Sequence, residues 1–133
     1  MKNISPRTVA HVILRARELD VKVARWDGPG DSTDGGTILQ SRSSDATERE
    51  LRAFISGLNF DEQRALVVIM WIGRETFAPV EWDEAIQTVR TDLNISAEEY
   101  LIGVPLLAEY LEAGLERLGI DPGLEEDEIY ADR

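Results

Sequence analysis

The sequence ALVVIMWIG fills residues 65–73 and holds eight apolar side chains in a row before a glycine. Such a run has three interpretations: a membrane segment, the centre of a folded core, or a surface that binds a partner. A helix needs about 20 apolar residues to cross a bilayer, and charged side chains stand close to both ends of this run. Because the run is apolar on every side, we predict that residues 60–74 form the central helix of a bundle. An oligomer interface over one face is the alternative.

Capping signals mark where the other helices begin. Ser5 precedes a proline at a first helical position, and Asn59 with Glu62 precedes the central run. Residues 47–50 and 96–99 both have the spacing of a capping box. Apolar residues then recur at the helical period, and no stretch alternates as a strand would. The sequence therefore predicts an all-α fold, a compact bundle of five or six helices.

Two interruptions organise the chain. Gly103 and Pro105 should separate a short helix from a longer one, because proline removes a backbone donor and clashes with the preceding turn. Residues 27–46 hold four glycines and one proline, which predicts one long glycine-rich, flexible loop. We expect residues 1–133 to form a single helical domain that ends in a frayed acidic tail at 121–133.

The charge of the chain is unevenly distributed. The formal net charge is −12, yet residues 2–25 carry six basic and two acidic side chains, whereas from Asn59 onward five are basic and eighteen acidic. This acidic excess disfavours nucleic-acid binding, since phosphate contacts with Lys and Arg dominate that affinity. The basic first helix is expected to complement the acidic remainder of its own domain.

The chain has no cysteine, and its first residues lack the long apolar stretch of a secretory signal. We therefore expect a cytoplasmic protein that does not enter a membrane.

The glycine loop resembles a phosphate-binding loop only in spacing. In GDSTDGGT, residues 30–37, Gly36 stands where the lysine must be, and the flanks are helical. The same stretch fails as a calcium loop, because no register places acidic residues at all the required positions. We interpret it as a solvated loop.

The sequence also lacks the residue motifs that common catalytic and metal sites require. His11 is the sole histidine, so sites that need two are excluded, and no GxSxG nucleophile motif is present. Carboxylate pairs at helical spacing, such as Glu81 with Glu84, are expected on solvated helix faces. The sequence predicts no catalytic residue, no metal site and no cofactor.

Residues 71–82, WIGRETFAPVEW, form the most suggestive patch, since Trp and Arg are enriched in binding hot spots. The simpler interpretation is that the aromatic residues belong to the core and that Arg74 caps the end of the central helix. The candidate binding residues, including one tryptophan beside the glycine loop, are Trp26, Trp71, Arg74, Phe77, Glu81 and Trp82.

Three blocks carry a resemblance: ISPRTVAHVILRARELDVK, ELRAFISGLNFDEQRALVVIMWIGR and YLIGVPLLAEYLEAGL. They look like a family of small bacterial proteins catalogued as the domain of unknown function numbered 3775, over nearly the whole chain. The family has glycine-aspartate where this chain has Glu75-Thr76, and threonine in place of Val104. The resemblance implies a helical domain and no catalytic residues.

The favoured function is a non-enzymatic protein-interaction or regulatory module whose partner is another protein or a second copy of the chain. The alternative is a small-molecule-binding protein or enzyme with a carboxylate and arginine cleft under the glycine loop, in which Glu81, Asp83 or Glu84 and Arg74 would be the polar groups.

Overall fold

The computed structural model describes the backbone of residues 1, 3–26 and 35–131, and the side chains of residues 1, 3–21 and 46–129. The described chain forms seven α-helices without any strand, so the all-α prediction is confirmed. A short 3-10 turn at Pro79–Glu81 precedes the fourth helix. The helices are α1 (Pro6–Trp26), α2 (Gly35–Ser56), α3 (Phe60–Gly73), α4 (Trp82–Asp92), α5 (Ala97–Ile102), α6 (Leu107–Arg117) and α7 (Pro122–Ala131).

The apolar run lies on α3, at the centre of the core. Residues 65–70 and Ile72 are fully buried, and residues from α1, α2, α4, α5 and α6 join the same cluster. Asn59 begins α3 with a complete capping box: its side chain accepts from the Glu62 N–H at 2.8 Å, and the Glu62 carboxylate accepts from the Asn59 N–H at 3.0 Å. The interpretation of residues 60–74 as the central helix is confirmed. Among the described residues, no helix is long and apolar enough to span a bilayer.

Two glycines allow α3 and α6 to approach each other very closely. A Cβ atom placed at Gly73 would overlap the carbonyl oxygen of Tyr110, and one at Gly114 would overlap the carbonyl oxygen of Ile69. Both obstacles are backbone atoms, which no side-chain rotation can remove. The crossing therefore requires glycine at both positions.

We expect Gly114→Ala to destabilise the protein by about 3 kcal/mol, the upper end of the usual cost of overpacking, because the obstacle is backbone. This sign is the opposite of that expected from helix propensity alone, on which alanine gains about 1 kcal/mol over glycine. Urea unfolding followed by circular dichroism measures the difference. Gly103→Ala is the matched control, since a Cβ there meets nothing nearer than 3.6 Å. Equal stabilities for the two variants would contradict the close crossing.

Three arginines of α1 pair with acidic side chains from later in the chain. Arg7 lies 4.0 Å from Glu128 and Arg15 lies 3.8 Å from Glu50. Arg17 binds carboxylates of both α6 and α7. The expectation that the first helix complements the acidic remainder of the chain is confirmed for these arginines.

Arg17, Glu112 and Glu126 form a half-buried cluster where α1, α6 and α7 meet. Arg17 Nη1 donates to Glu126 Oε1 at 2.9 Å, and its other terminal nitrogen binds Glu112. Burial raises the pKa of Glu126, and the neighbouring Glu112 carboxylate raises it further, against the opposing effect of Arg17. One cation thus faces two carboxyl groups, of which Glu126 holds its proton more tightly than an exposed glutamate does.

The raised pKa of Glu126 predicts a pH-dependent effect of Glu126→Gln. The folded state binds this proton more tightly than the unfolded state, so ionisation of Glu126 costs stability above its unfolded pKa, and the cost vanishes below that value. We expect the variant to melt at a higher temperature than the wild type at about pH 7.5, with the difference disappearing near about pH 4.

Glu128→Gln is the control for this experiment, since the Glu128 side chain is 67% exposed and only 4.0 Å from its arginine. Thermal unfolding at several pH values gives the comparison. A Glu126→Gln variant that is less stable at neutral pH, or equally shifted at every pH, would contradict the assignment.

The caps predicted at Ser5, Asn59 and Ser96 are confirmed, but the one at Thr47 is wrong. Ser5 and Ser96 accept from the N–H groups of Thr8 and Glu99, each at 3.1 Å. Thr47 is instead buried inside α2, which begins at Gly35. A single Ser, Thr or Asp inside a helix lowers its stability only a little. Packing of α2 against α1 therefore overrides the capping signal at Thr47.

The predicted loop at 27–46 is therefore too long, because residues 35–46 are helical. Residues 27–34, with most of the GDSTDGGT stretch, lie outside the described residues.

The acidic tail predicted at 121–133 is also mostly helical. Asp121 accepts from the Gly123 N–H at 2.9 Å, and Pro122 occupies the first position of α7. Pro122, Glu126 and Ile129 are buried, and Glu126 and Glu128 pair with α1. This extra helix raises the number of helices above the five or six expected.

Candidate interaction site

Trp71 and Phe77, two of the predicted binding residues, form an aromatic cluster with Tyr100. The Trp71 and Phe77 rings stack at 5.6 Å, and Tyr100 meets Trp71 edge-on at 6.4 Å. The Trp71 indole N–H donates to the Tyr100 hydroxyl at 3.0 Å. These half-buried side chains join α3 to α5, so their contacts assign them a structural role.

Arg74 follows α3 as its C-cap residue, as the simpler interpretation predicted. Its backbone N–H donates to the carbonyl of Met70 at 3.0 Å. Its guanidinium lies 3.6 Å from the Met70 sulfur and 6.0 Å from the centre of the Tyr110 ring. The arginine therefore folds back over its own helix and α6.

Trp82 and Glu81 are likewise engaged within the fold. Trp82 is 6% exposed, and its indole N–H has no hydrogen-bond partner among the described residues. The Glu81 carboxylate accepts from the Ala78 N–H at 2.7 Å. Trp26 is the last residue of α1, and its side chain lies outside the described residues. The structure brings Trp71 and Phe77 together and places Trp82 in the core; a binding role for the set stays a prediction.

His11 and the acidic residues are placed without a catalytic constellation in the part of the chain that the structure describes. His11 is half-buried, with its ring 5.7 Å from that of Phe54 and its Nδ1 3.3 Å from the Arg15 guanidinium. No group of three side chains there could hold a metal ion. The surface has a cleft between α3, α4 and α5 and another beside His11 and Arg17 on α1. Neither is lined by Arg74, Glu81, Asp83 or Glu84.

One of these clefts lies between α3, the end of α4 and the start of α5, and has a volume of about 200 Å³. We call it the Phe60–Ile95 cleft. Val89 and Ala97 are buried and Leu93 half-buried, so apolar side chains form much of its inner part, beside the buried Gln63. Phe60 and Ile95, which are 74% and 48% exposed, form its rim.

The charged side chains that line the Phe60–Ile95 cleft are both arginines. Arg64 lies 5.9 Å from the centre of the Phe60 ring and 3.5 Å from the Asp61 carboxylate. Arg90 is exposed and makes no hydrogen bond or ion pair with any described residue. No carboxylate is among the lining residues. On a chain of net charge −12, this cleft is a local positive site.

Two helix caps determine how the apolar rim is exposed. Phe60 directly follows the cap residue Asn59, and Ile95 directly precedes the cap residue Ser96. A cap fixes the direction in which the chain enters a helix, and neither residue faces the core from that position. Ser96 also lines the cleft, together with Gln63, whose amide N–H donates to the Leu58 carbonyl at 2.9 Å.

Sequence reasoning missed Phe60, Arg64, Arg90 and Ile95. A usable signal exists, since Phe60 and Ile95 are large apolar residues next to caps. Arg64 and Arg90 give no comparable signal in the sequence, because they come close to each other only when α3 and α4 pack together.

The fold and the cleft define a small all-α protein with a surface site of apolar and cationic side chains. The chain belongs to the family described as "Protein of unknown function (DUF3775)", whose pattern matches residues 48–120. The match includes the Phe60–Ile95 cleft but excludes α1 and α7, so it is narrower than the resemblance implied. No curated protein and no solved structure matches the chain.

The burial of Trp82 predicts that Trp82→Ala costs about 3–5 kcal/mol, the usual effect of removing a large core aromatic. Arg74→Ala should change stability by no more than about 0.5 kcal/mol, because Arg74 is exposed. Chemical unfolding of both variants measures these effects. A similarly small loss of unfolding free energy in both variants would contradict the burial of Trp82 in the core.

Proposed function

We propose that this chain is a non-enzymatic interaction module that binds another protein through the Phe60–Ile95 cleft. The observation that carries the proposal is the combination of an exposed Phe60 and Ile95 with Arg90, which has no carboxylate partner among the described residues, around a largely apolar interior. Exposed apolar side chains beside arginine are typical of binding surfaces.

The energetics of Phe60 support this proposal. Phe60 is 74% exposed and adds little burial to the core, so packing of the core does not require a phenylalanine at this position. A partner that covered the ring and the adjoining Ile95 would remove apolar surface from water, at roughly 25 cal/mol per Å². The residue is therefore better matched to association than to folding.

The dimensions of the cleft favour a protein over a small molecule. Pockets that enclose a whole ligand have volumes of about 300–1,000 Å³, whereas this one has about 200 Å³. It can receive a side chain of a partner whose remaining contacts lie on the adjacent surface. The absence of cysteine from the sequence is consistent with action in the cytoplasm, which is part of the proposal.

The proposal predicts that Phe60→Ala removes the partner while leaving the fold unchanged. The tagged wild type and variant are used to capture proteins from the host's lysate, and co-eluting proteins are quantified by mass spectrometry. We expect a stoichiometric partner with the wild type and at least a tenfold loss with the variant, which corresponds to about 1.4 kcal/mol.

Val80→Ala is the matched control, since Val80 is 90% exposed and does not line the cleft. It should retain the partner in full. Equal capture of the partner by all three proteins would show that the cleft does not bind it. Recovery of the tagged protein alone would count against the chain being an interaction module.

A further inference from the structure

We propose that the segment bound in the Phe60–Ile95 cleft is an acidic one, with one large apolar side chain flanked by carboxylates. This inference rests on the proposed function and specifies the chemistry of the partner. Its two elements, the apolar anchor and the flanking charge, follow from different parts of the cleft.

The apolar anchor follows from the interior of the cleft. Val89, Leu93 and Ala97 offer no polar side-chain group there, and the amide N–H of the lining residue Gln63 donates to the Leu58 carbonyl. The volume of about 200 Å³ is too small for an extended apolar surface. Phe60 and Ile95 stand at the rim, where they can contact the sides of an inserted group. A single large apolar side chain fits this arrangement.

The flanking carboxylates follow from the two arginines. Arg90 has no anionic partner among the described residues, and Arg64 has only the Asp61 carboxylate at 3.5 Å. Guanidinium groups bind carboxylates through paired, charge-assisted hydrogen bonds. Since no acidic side chain lines the cleft, an incoming carboxylate meets attraction on that surface.

The charge of the remaining chain limits the length of the acidic segment. From Asn59 onward the chain carries eighteen acidic and five basic side chains, which would repel a long polyanion such as a nucleic acid. At physiological salt, charges separated by more than about 8 Å are largely screened. A short acidic segment confined to the cleft therefore gains from the arginines without strong repulsion from the surrounding surface.

The same charge argues against a second copy of this chain as the occupant. Each copy brings a net charge of −12, and Arg7, Arg15 and Arg17 of α1 are engaged in ion pairs within the fold. A different protein that confines its acidic residues to the docking segment avoids this repulsion.

The test is a selection of short random peptides displayed on phage against the full-length protein, with counter-selection against Phe60→Ala. We expect the peptides specific for the wild type to share one Phe, Leu, Ile or Trp flanked by Asp or Glu. In fluorescence anisotropy, the selected peptide should bind at least about tenfold more tightly than its version with Gln and Asn in place of Glu and Asp. Arg90→Gln should reduce this ratio, and Val80→Ala should not.

Two results would overturn the inference. Selected peptides that are neutral or basic, yet lost with Phe60→Ala, would refute the acidic segment while leaving the interaction module in place. Dimerisation of the wild type but not of Phe60→Ala in sedimentation equilibrium would assign the cleft to a second copy. Failure of every peptide, together with an empty capture from lysate, would refute the proposed function as well.

Discussion

The backbones of α3 and α6 touch at Gly73 and Gly114, and the rest of the fold is arranged around this contact. Because neither position has room for a Cβ atom, α3 can lie deep enough for its residues 65–70 to be fully buried. The helices that cover α3 then include α4 and α5, whose ends form the Phe60–Ile95 cleft with the start of α3. The crossing thus accounts for the close packing in the core, and the helices that pack on the other sides of α3 form the surface site.

Electrostatics divides the cations of the described chain into two groups. Arg7, Arg15 and Arg17 of α1 bind carboxylates of α2, α6 and α7, so they stabilise the fold and hold α7 in place. Arg90 has no such partner, and Arg64 only a neighbouring one on its own helix. Arg90 therefore places at the Phe60–Ile95 cleft a cationic group that no described carboxylate neutralises. This contrast connects the excess of acidic residues to the proposed binding site.

Much of the fold could be predicted from local chemistry, and the exceptions have physical reasons. Side-chain caps at Ser5, Asn59 and Ser96 located helix starts because their hydrogen bonds are local. Asp121-Pro122 carries the same type of signal as Ser5-Pro6, whereas the acidic composition of the residues that follow favours a frayed tail. The site was harder to predict from the sequence. The Trp and Arg residues at 71–82 mainly pack the core and cap α3. Arg64 and Arg90 meet only after α3 and α4 have packed together, and one sequence does not show that distance.

A photoreactive benzoylphenylalanine placed in turn at Phe60, Phe77 and Val80 would test the central claim most directly in living cells. Each protein is expressed in its host, irradiated and examined for covalent adducts by mass spectrometry. The account predicts an adduct with one partner protein from position 60 and none from position 80. Adducts that form from position 77 and not from position 60 would place the binding surface at the aromatic cluster and contradict the assignment of the Phe60–Ile95 cleft.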